Sequence, residues 1–120
     1  QSENRLGGPR VQGRGEQKDA VIEDAVAVQE AGASAVVLEM VPADVAKKVT
    51  RILRIPTIGI GAGAATDGQV LVWTDMAGMT DWSPRFSKRF GDVGGALALA
   101  AAGFRDAVKG RGFPTEENSF

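Results

Sequence analysis

Glu39 is the first candidate for chemistry, because it closes the otherwise apolar segment Ala35 to Leu38. A continuous apolar run rich in β-branched residues is typical of a strand buried on both faces of a parallel sheet. Ligands of such sheets bind at the carboxyl ends of the strands. A partly desolvated carboxylate placed there could accept a proton from a carbon atom. From position alone, the more ordinary role remains open, in which the acid bonds loop N–H groups or a basic neighbour.

A second candidate is the glycine-rich segment 59–63, with the sequence Gly-Ile-Gly-Ala-Gly. Glycine allows the backbone at a strand end to approach a ligand closely, and successive N–H groups can bind an oxyanion. The segment is not a dinucleotide-binding fingerprint, because its spacing is wrong and Asp67-Gly68 leads to a strand rather than a helix. A structural turn between packed strands is an equally good interpretation of these glycines.

Four charged side chains outside these segments are weaker candidates. Arg10 and Arg14 lie among glycines and could form a basic lid over an anionic substrate, but a solvated loop is the simpler interpretation. Asp67 and Asp75 could ligate a divalent ion, although isolated Asp residues near turns usually cap or hydrogen-bond locally. Neither pair defines a site by itself.

The charge balance and the missing residue types limit the chemistry. Because 14 basic residues face 15 acidic ones, for a net charge of −1, no basic excess indicates nucleic acid or an anionic membrane as partner. The absence of Cys excludes disulfides and thiolate zinc sites, and the absence of His removes the commonest general base. Acid–base chemistry then depends on carboxylates or Lys, and a metal would be a hard, oxygen-ligated ion. Since no apolar run approaches the roughly 20 residues that span a bilayer, we expect a soluble, cytoplasmic protein.

Hydrophobic periodicity places helices and strands in alternation around these candidates. One helix is predicted over residues 16–32, where Gly32 can end it in a left-handed conformation. A second is predicted over residues 42–52, because Val45 and Val49 recur at helical spacing. Short apolar runs rich in β-branched residues predict three strands, over residues 34–39, 57–61 and 70–73.

Beyond Asp75 the pattern becomes helical again, with a short helix predicted at Ser83-Pro84 and a longer one over residues 96–109, capped by Gly110. Strands that alternate with helices indicate right-handed crossovers and a parallel sheet. A (β/α)₈ barrel typically has about 250 residues, so this chain of 120 residues corresponds to about half of one. The predicted fold class is therefore α/β, as half of a barrel.

Several motifs resemble those of the ketopantoate hydroxymethyltransferase family, in the family's own order. They are Asn4 to Gly8, Val11 to Arg14, Val36 to Pro42, Ile55 to Gly63, Asp67 to Val72 and Asn118 to Phe120. Any one of these motifs is a weak signal, but together they are specific and cover nearly the whole chain.

The resemblance implies that residues 1–120 form the C-terminal half of a single (β/α)₈ TIM barrel domain of the phosphoenolpyruvate/pyruvate superfamily. It also implies a homo-oligomer, usually a decamer. The family transfers a hydroxymethyl group from its cosubstrate 5,10-methylenetetrahydrofolate to 3-methyl-2-oxobutanoate, giving 2-dehydropantoate in the first step of pantothenate biosynthesis. Mg²⁺ is the implied cofactor, as a Lewis acid that favours the enolate of the oxo acid. Its aspartate ligands lie in the N-terminal half, which this chain does not contain.

The resemblance also assigns roles to residues of this chain. The family's proton acceptor is the Glu of a Val-Leu-Glu motif, which falls on Glu39. Ile60, Val70 and Val72 match apolar positions around the substrate. The implied site therefore has one catalytic residue and three substrate-binding residues in this chain, and no metal ligand.

Two departures accompany these matches, since Thr74 and Asn118 stand where many members of the family carry His. These two departures are interpreted as tolerated variation, whereas the missing half leaves two alternatives to consider. One is a related barrel enzyme that acts on another 2-oxo acid, such as a lyase. The other is a non-catalytic fragment that acts only in assembly, because this chain alone lacks most of the implied active site.

Overall fold

A computed structural model describes Gly8 and residues 10–120. The chain divides into two compact units, with the boundary between Leu71 and Val72. The motif Asn4 to Gly7 and Pro9 lie outside the described residues. No helix in the described ranges is long and apolar enough to cross a membrane.

The first unit is an α/β structure built on a parallel sheet. After a 3₁₀ turn at Gly15–Gln17, its elements are α1 (Lys18–Glu30), β1 (Val36–Glu39), α2 (Ala43–Ile52), β2 (Thr57–Ile60) and β3 (Gly68–Gln69). The three strands are parallel and neighbour one another in the order β1-β2-β3. The predicted parallel, sequential sheet is confirmed.

The two longer strands turn alternate side chains to opposite faces of the sheet. Leu38 and Thr57 are buried on the face that the helices cover. Val37, Glu39 and Ile60 belong to the opposite face, since Glu39 lies beside Ile60 in the strand register and Val37 is 58% exposed. The sheet of this unit is therefore covered by helices on one face only.

The core lies between that covered face and the two helices. It consists of small and branched apolar residues: Ala25, Leu38, Val41, Val45, Ala46, Val49 and Ala62. Val45 and Val49 occupy one stripe of α2, as the periodicity predicts, whereas Lys47 and Lys48 on its other side are exposed. Ile52, the last residue of α2, is 45% exposed.

Ion pairs join the two helices at both ends. Lys18 Nζ lies 2.7 Å from the Asp44 carboxylate at the beginnings of α1 and α2, and Arg54 lies 3.0 Å from Glu30 near their ends. The helices are therefore parallel to each other, and α2 runs back along the sheet between β1 and β2. Gly32 follows α1 with φ of 92°, as predicted for a left-handed helix end.

The second unit contains α3 (Trp73–Met76), α4 (Val93–Lys109) and a 3₁₀ turn at Glu116–Asn118. The helix α4 begins at Val93 rather than at Ala96, because the Asp92 side chain accepts a hydrogen bond of 3.1 Å from the Gly95 N–H. It ends at Lys109, and Gly110 caps it, as predicted.

Two predicted elements are wrong. The apolar run 70–73 is not the third strand; pairing occurs at Gly68–Gln69, and Trp73 instead begins α3. A short turn closed by the Ser87 N–H and the Pro84 carbonyl takes the place of the helix predicted at Ser83-Pro84. A Ser-Pro pair fits a turn as well as a first helical turn, so this signal was ambiguous.

Candidate active site

Glu39 is the last residue of β1, at the carboxyl edge of the sheet, and its side chain is partly buried. Its neighbour across the register is Ile60, the last residue of β2. Both belong to the face of the sheet that α1 and α2 leave uncovered. Glu39 therefore occupies the edge where ligands of parallel sheets bind, beside an apolar side chain.

Met40 fixes the chain immediately after Glu39. Its φ of 53° lies in the left-handed region, which non-glycine residues seldom adopt. Two hydrogen bonds hold it there: its N–H donates to the Ile60 carbonyl at 2.9 Å, and its carbonyl accepts from the Gln12 N–H at 3.0 Å. Strained backbone of this kind often accompanies functional sites. Nothing in the sequence indicated it, because its cause is the two contacts to distant residues.

The glycine-rich segment forms the turn that follows β2. Gly61 and Gly63 have φ of 65° and 78°, values that glycine adopts at little cost. A Cβ at Gly63 would lie 2.5 Å from the Cβ of Ala43, at the start of α2. The Gln69 side chain donates to the Gly63 carbonyl at 2.9 Å and to the Thr66 hydroxyl at 2.8 Å. These glycines therefore form a structural turn, as one interpretation of the sequence predicted. Oxyanion binding by their N–H groups stays a prediction.

Asp67 makes local hydrogen bonds to the beginning of β2. Its Oδ2 accepts from the Thr57 N–H at 2.8 Å and from the Thr57 hydroxyl at 3.0 Å. These bonds hold the pKa of Asp67 below its ordinary value of 3.8, chiefly through the Thr57 backbone N–H. Asp75 likewise accepts from the Thr80 hydroxyl at 3.1 Å. Both acids therefore make local hydrogen bonds, the alternative to metal ligation that the sequence left open.

The residues matched to substrate contacts are distributed over both units. Val70 follows β3, donates its N–H to the Gly59 carbonyl at 3.0 Å and is 44% exposed. By the alternation of the strand it continues the face that carries Ile60. Val72 is the first residue of the second unit, where its carbonyl accepts from the N–H groups of Asp75 and Met76. Within the first unit, Glu39, Ile60 and Val70 are thus brought to one edge of the sheet.

A cleft of about 230 Å³ opens along β1 and α1. Glu39 and Gln12 line it at the carboxyl end of β1, and Asp24 is its other acidic residue. Most of the remaining lining is apolar: Val21, Ala25, Val28, Val36, Val37, Leu38 and Val41.

The donors in this part of the chain do not fit a magnesium site by themselves. In residues 10–120 and Gly8, no group of three or more acidic side chains lies close enough together to hold a metal ion. A Mg²⁺ ion takes six oxygen ligands and keeps waters beside one or two carboxylates. No step is therefore derived through a metal on the residues described.

The comparisons with known proteins agree on one family. Residues 1–116 match the family described as ketopantoate hydroxymethyltransferase. The whole chain is 62% identical to a protein of Saccharopolyspora erythraea, 58% to one of Rhodococcus jostii and 59% to one of Leifsonia xyli, each named 3-methyl-2-oxobutanoate hydroxymethyltransferase. The match covers 41%, 42% and 44% of these relatives, so the chain spans less than half of their length. These names do not favour the lyase alternative.

The fold and the position of Glu39 define the class of protein. It is an α/β protein with a parallel sheet and a carboxylate at the carboxyl end of a strand, where enzymes of this architecture bind small molecules. The extent of the family match, residues 1–116, makes the assignment specific. The chain belongs to the ketopantoate hydroxymethyltransferase family.

Proposed function

We propose that this chain is the part of a 3-methyl-2-oxobutanoate hydroxymethyltransferase that carries the general base, Glu39. In the proposed reaction C3 of the oxo acid loses a proton and forms a bond to the one-carbon unit of 5,10-methylenetetrahydrofolate. With addition of water, the products are 2-dehydropantoate and tetrahydrofolate. The position of Glu39 at the carboxyl edge of β1, beside Ile60, carries this proposal.

The surroundings of Glu39 suit a base that acts on carbon. Glu39 is partly buried on an otherwise apolar face at the carboxyl edge of the sheet, where its carboxylate can approach an apolar substrate carbon. Ile60 and Val70 supply apolar surface at the same edge and are the proposed contacts of the branched substrate carbons. Val72 is proposed to contribute a similar contact in the complete protein.

The uncovered face of the sheet supports a (β/α)₈ barrel as the complete fold. Barrel interiors are lined by alternate side chains of the strands, packed in layers against side chains from the other strands. Val37 and Glu39 would lie in such an interior, where the 58% of the Val37 surface that is exposed in this chain would be covered by the other strands. A homo-oligomer and a cytoplasmic location belong to the same proposal.

Magnesium belongs to the proposal as a cofactor of the complete enzyme. Its expected chemistry is Lewis-acid stabilisation of the enolate oxygen. Because the acids of this chain do not group into a site, its ligands are assigned to the segment of the family that this chain does not span.

The Glu39→Gln variant of the complete enzyme tests the assignment. Gln keeps the size and hydrogen-bonding shape of Glu but cannot accept the proton, and loss of a general base typically reduces a rate by about 10²–10⁴-fold. Exchange of the C3 hydrogen of 3-methyl-2-oxobutanoate into deuterated water, followed by NMR, reports this step without the folate.

A matched control is Glu23→Gln, which makes the same chemical change at an exposed position of α1. We expect its exchange rate to equal that of the wild type. If Glu39→Gln also exchanges at the wild-type rate, Glu39 is not the base and the site assignment is wrong.

A further inference from the structure

We infer that Met40 is a positioning residue for the proposed general base. Its left-handed backbone, held by hydrogen bonds to Gln12 and Ile60, keeps Glu39 on the uncovered face of the sheet. The inference rests on the proposed function, because it gives Met40 a part in the reaction that is assigned to Glu39.

The left-handed conformation of Met40 interrupts the alternation of side chains along β1. In a regular strand alternate residues share a face, so Val41 would lie on the uncovered face with Glu39. Val41 is instead 5% exposed and belongs to the core that also contains Leu38. Glu39 is therefore held between one core residue directly before it and another core residue two positions after it.

The same arrangement occurs at the end of β2. Ile60 is the register partner of Glu39, Gly61 follows it with φ of 65°, and Ala62 is fully buried in the same core. At the left-handed position β2 has a glycine, which adopts this conformation readily, whereas β1 has a methionine, which seldom does. The two strand ends therefore share a backbone conformation and not a type of side chain.

Two backbone hydrogen bonds fix the peptide units on both sides of Met40. The Met40 N–H, which shares its peptide unit with the Glu39 carbonyl, donates to the Ile60 carbonyl at 2.9 Å. The Met40 carbonyl accepts from the Gln12 N–H at 3.0 Å. A base has to be held close to the atom that it deprotonates, and a displacement of about 1 Å can lower a rate by about 10²-fold. These bonds therefore act on the rate through the position of Glu39.

Gly13 supports the segment from which Gln12 donates. It is buried with φ of 84°, and a Cβ added to it would lie 3.1 Å from Cγ2 of Val21 in α1. A side chain at Gly13 would therefore displace the Gln12 N–H. Gly15 also has a positive φ, of 57°, but no atom lies within 4 Å of an added Cβ. The two glycines thus form a matched pair that disturbs or spares the bond to Met40.

The experiment compares Met40→Gly, Met40→Asn, Met40→Leu and Met40→Val in the complete enzyme, by exchange of the C3 hydrogen of 3-methyl-2-oxobutanoate into deuterated water. Gly and Asn adopt the left-handed conformation most readily, and a β-branched residue such as Val does so least. We expect Gly and Asn to lose the least, Leu more and Val the most. For Met40→Val the maximal exchange rate should fall by roughly 10- to 100-fold, while KM for the oxo acid changes little.

Double variants show whether Met40 acts through Glu39. In the Glu39→Gln background, Met40→Val should cause no further loss of exchange rate, because the base that it would misplace is already absent. Gly13→Ala should lower the maximal rate in the wild-type background and not in the Glu39→Gln background, whereas Gly15→Ala should change it in neither. The glycine pair leaves Met40 unaltered, so the result does not depend on how well Met40→Val folds.

The inference is overturned if Leu preserves the rate best and Gly and Asn worst, because the side chain of Met40 would then be what matters. A loss confined to KM, or equal rates for Gly13→Ala and Gly15→Ala, would overturn it as well. The proposed function fails separately, if Glu39→Gln alone exchanges at the wild-type rate. A slow Glu39→Gln enzyme that Met40→Val slows further by its full factor would contradict the role of Met40 and leave Glu39 as the base.

Discussion

At the scale of single residues, the Asp67 carboxylate connects the loop between β2 and β3 to the beginning of β2 by hydrogen bonds. Thr57, which is fully buried, donates both its N–H and its hydroxyl to Asp67, and its hydroxyl also lies 2.8 Å from that of Thr50 in α2. The loop, the start of β2 and α2 are thereby joined through one buried side chain. These bonds are stronger when the acid is ionised, so their contribution to stability depends on pH.

We predict that Asp67→Asn is less stable than the wild type at neutral pH and that the difference disappears in acid. The folded state lowers the pKa of Asp67 below 3.8, first through the Thr57 N–H and then through its hydroxyl. A lowered folded pKa contributes stability above the unfolded value, and this is lost as the pH falls through the folded pKa. Urea unfolding midpoints of both proteins, measured at successive pH values from neutral to below 3.8, should converge.

Asp44→Asn is the matched comparison, because Lys18 lowers the pKa of Asp44 through an exposed ion pair. Its effect should weaken at high salt, since exposed pairs are screened. The effect of Asp67→Asn, whose partners are uncharged, should change little. A gap between Asp67→Asn and the wild type that stays constant down to the lowest pH would contradict the assigned hydrogen bonds.

The residues of the candidate site were predictable to different degrees. A strand-end carboxylate and a strand-end isoleucine could be assigned to one edge from sequence, because parallel strands share their carboxyl edge, and Glu39 and Ile60 lie there side by side. The left-handed Met40 could not be predicted, because it depends on Gln12 and Ile60. The hydrogen-bond partner of Asp67 could not be predicted either, since Thr57 is ten residues away along the chain.

At the scale of elements, the position of β3 shows where apolar pattern misleads. The run 70–73 is the more apolar segment, yet pairing occurs at Gly68–Gln69. The connection from β2 has no helix, and the Gln69 side chain reaches Gly63 and Thr66 on the covered side. This short connection determines which residues pair with β2. The hydrophobic pattern does not indicate how the connection folds, so it could not predict the pairing. The helices α1 and α2 and the strands β1 and β2, whose patterns are longer or bounded by turn residues, were predicted within a few residues.

The turn after β2 gives a prediction for Gly63→Ala. Alanine at this position combines a positive φ with a Cβ only 2.5 Å from that of Ala43. Backbone strain of this kind costs about 1–3 kcal/mol, and the displaced contact adds to it. Gly32→Ala separates the two effects, because Gly32 has φ of 92° but no atom within 4 Å of the added Cβ.

We therefore expect Gly63→Ala to lower the free energy of unfolding more than Gly32→Ala does, as measured by urea denaturation. Adding Ala43→Gly should recover part of the loss in Gly63→Ala and none in Gly32→Ala, a coupling that a double-mutant cycle measures. Equal losses for the two glycines, with no coupling to Ala43, would show that the contact is absent.

At the scale of the whole molecule, the two units leave different apolar surfaces exposed. In the second unit, Leu97, Leu99 and Phe104 of α4 are 59%, 76% and 60% exposed. A helix that is apolar nearly all round is typically buried in the complete protein. Trp73 and Trp82 are also exposed, at 63% and 76%.

We predict that this chain alone does not bind Mg²⁺ tightly. The sequence contains neither His nor Cys, and the described residues hold no group of three acids. A Mg²⁺ ion bound by an isolated carboxylate stays almost fully hydrated, and such binding is weak. Titration calorimetry of this chain with Mg²⁺ should therefore show no stoichiometric site in the micromolar range. The complete relative from Saccharopolyspora erythraea, titrated in the presence of 3-methyl-2-oxobutanoate, is the comparison, and we expect it to bind. A tight, stoichiometric site on this chain alone would mean that its own carboxylates form the metal centre, and the assignment of the ligands to the rest of the polypeptide would be wrong.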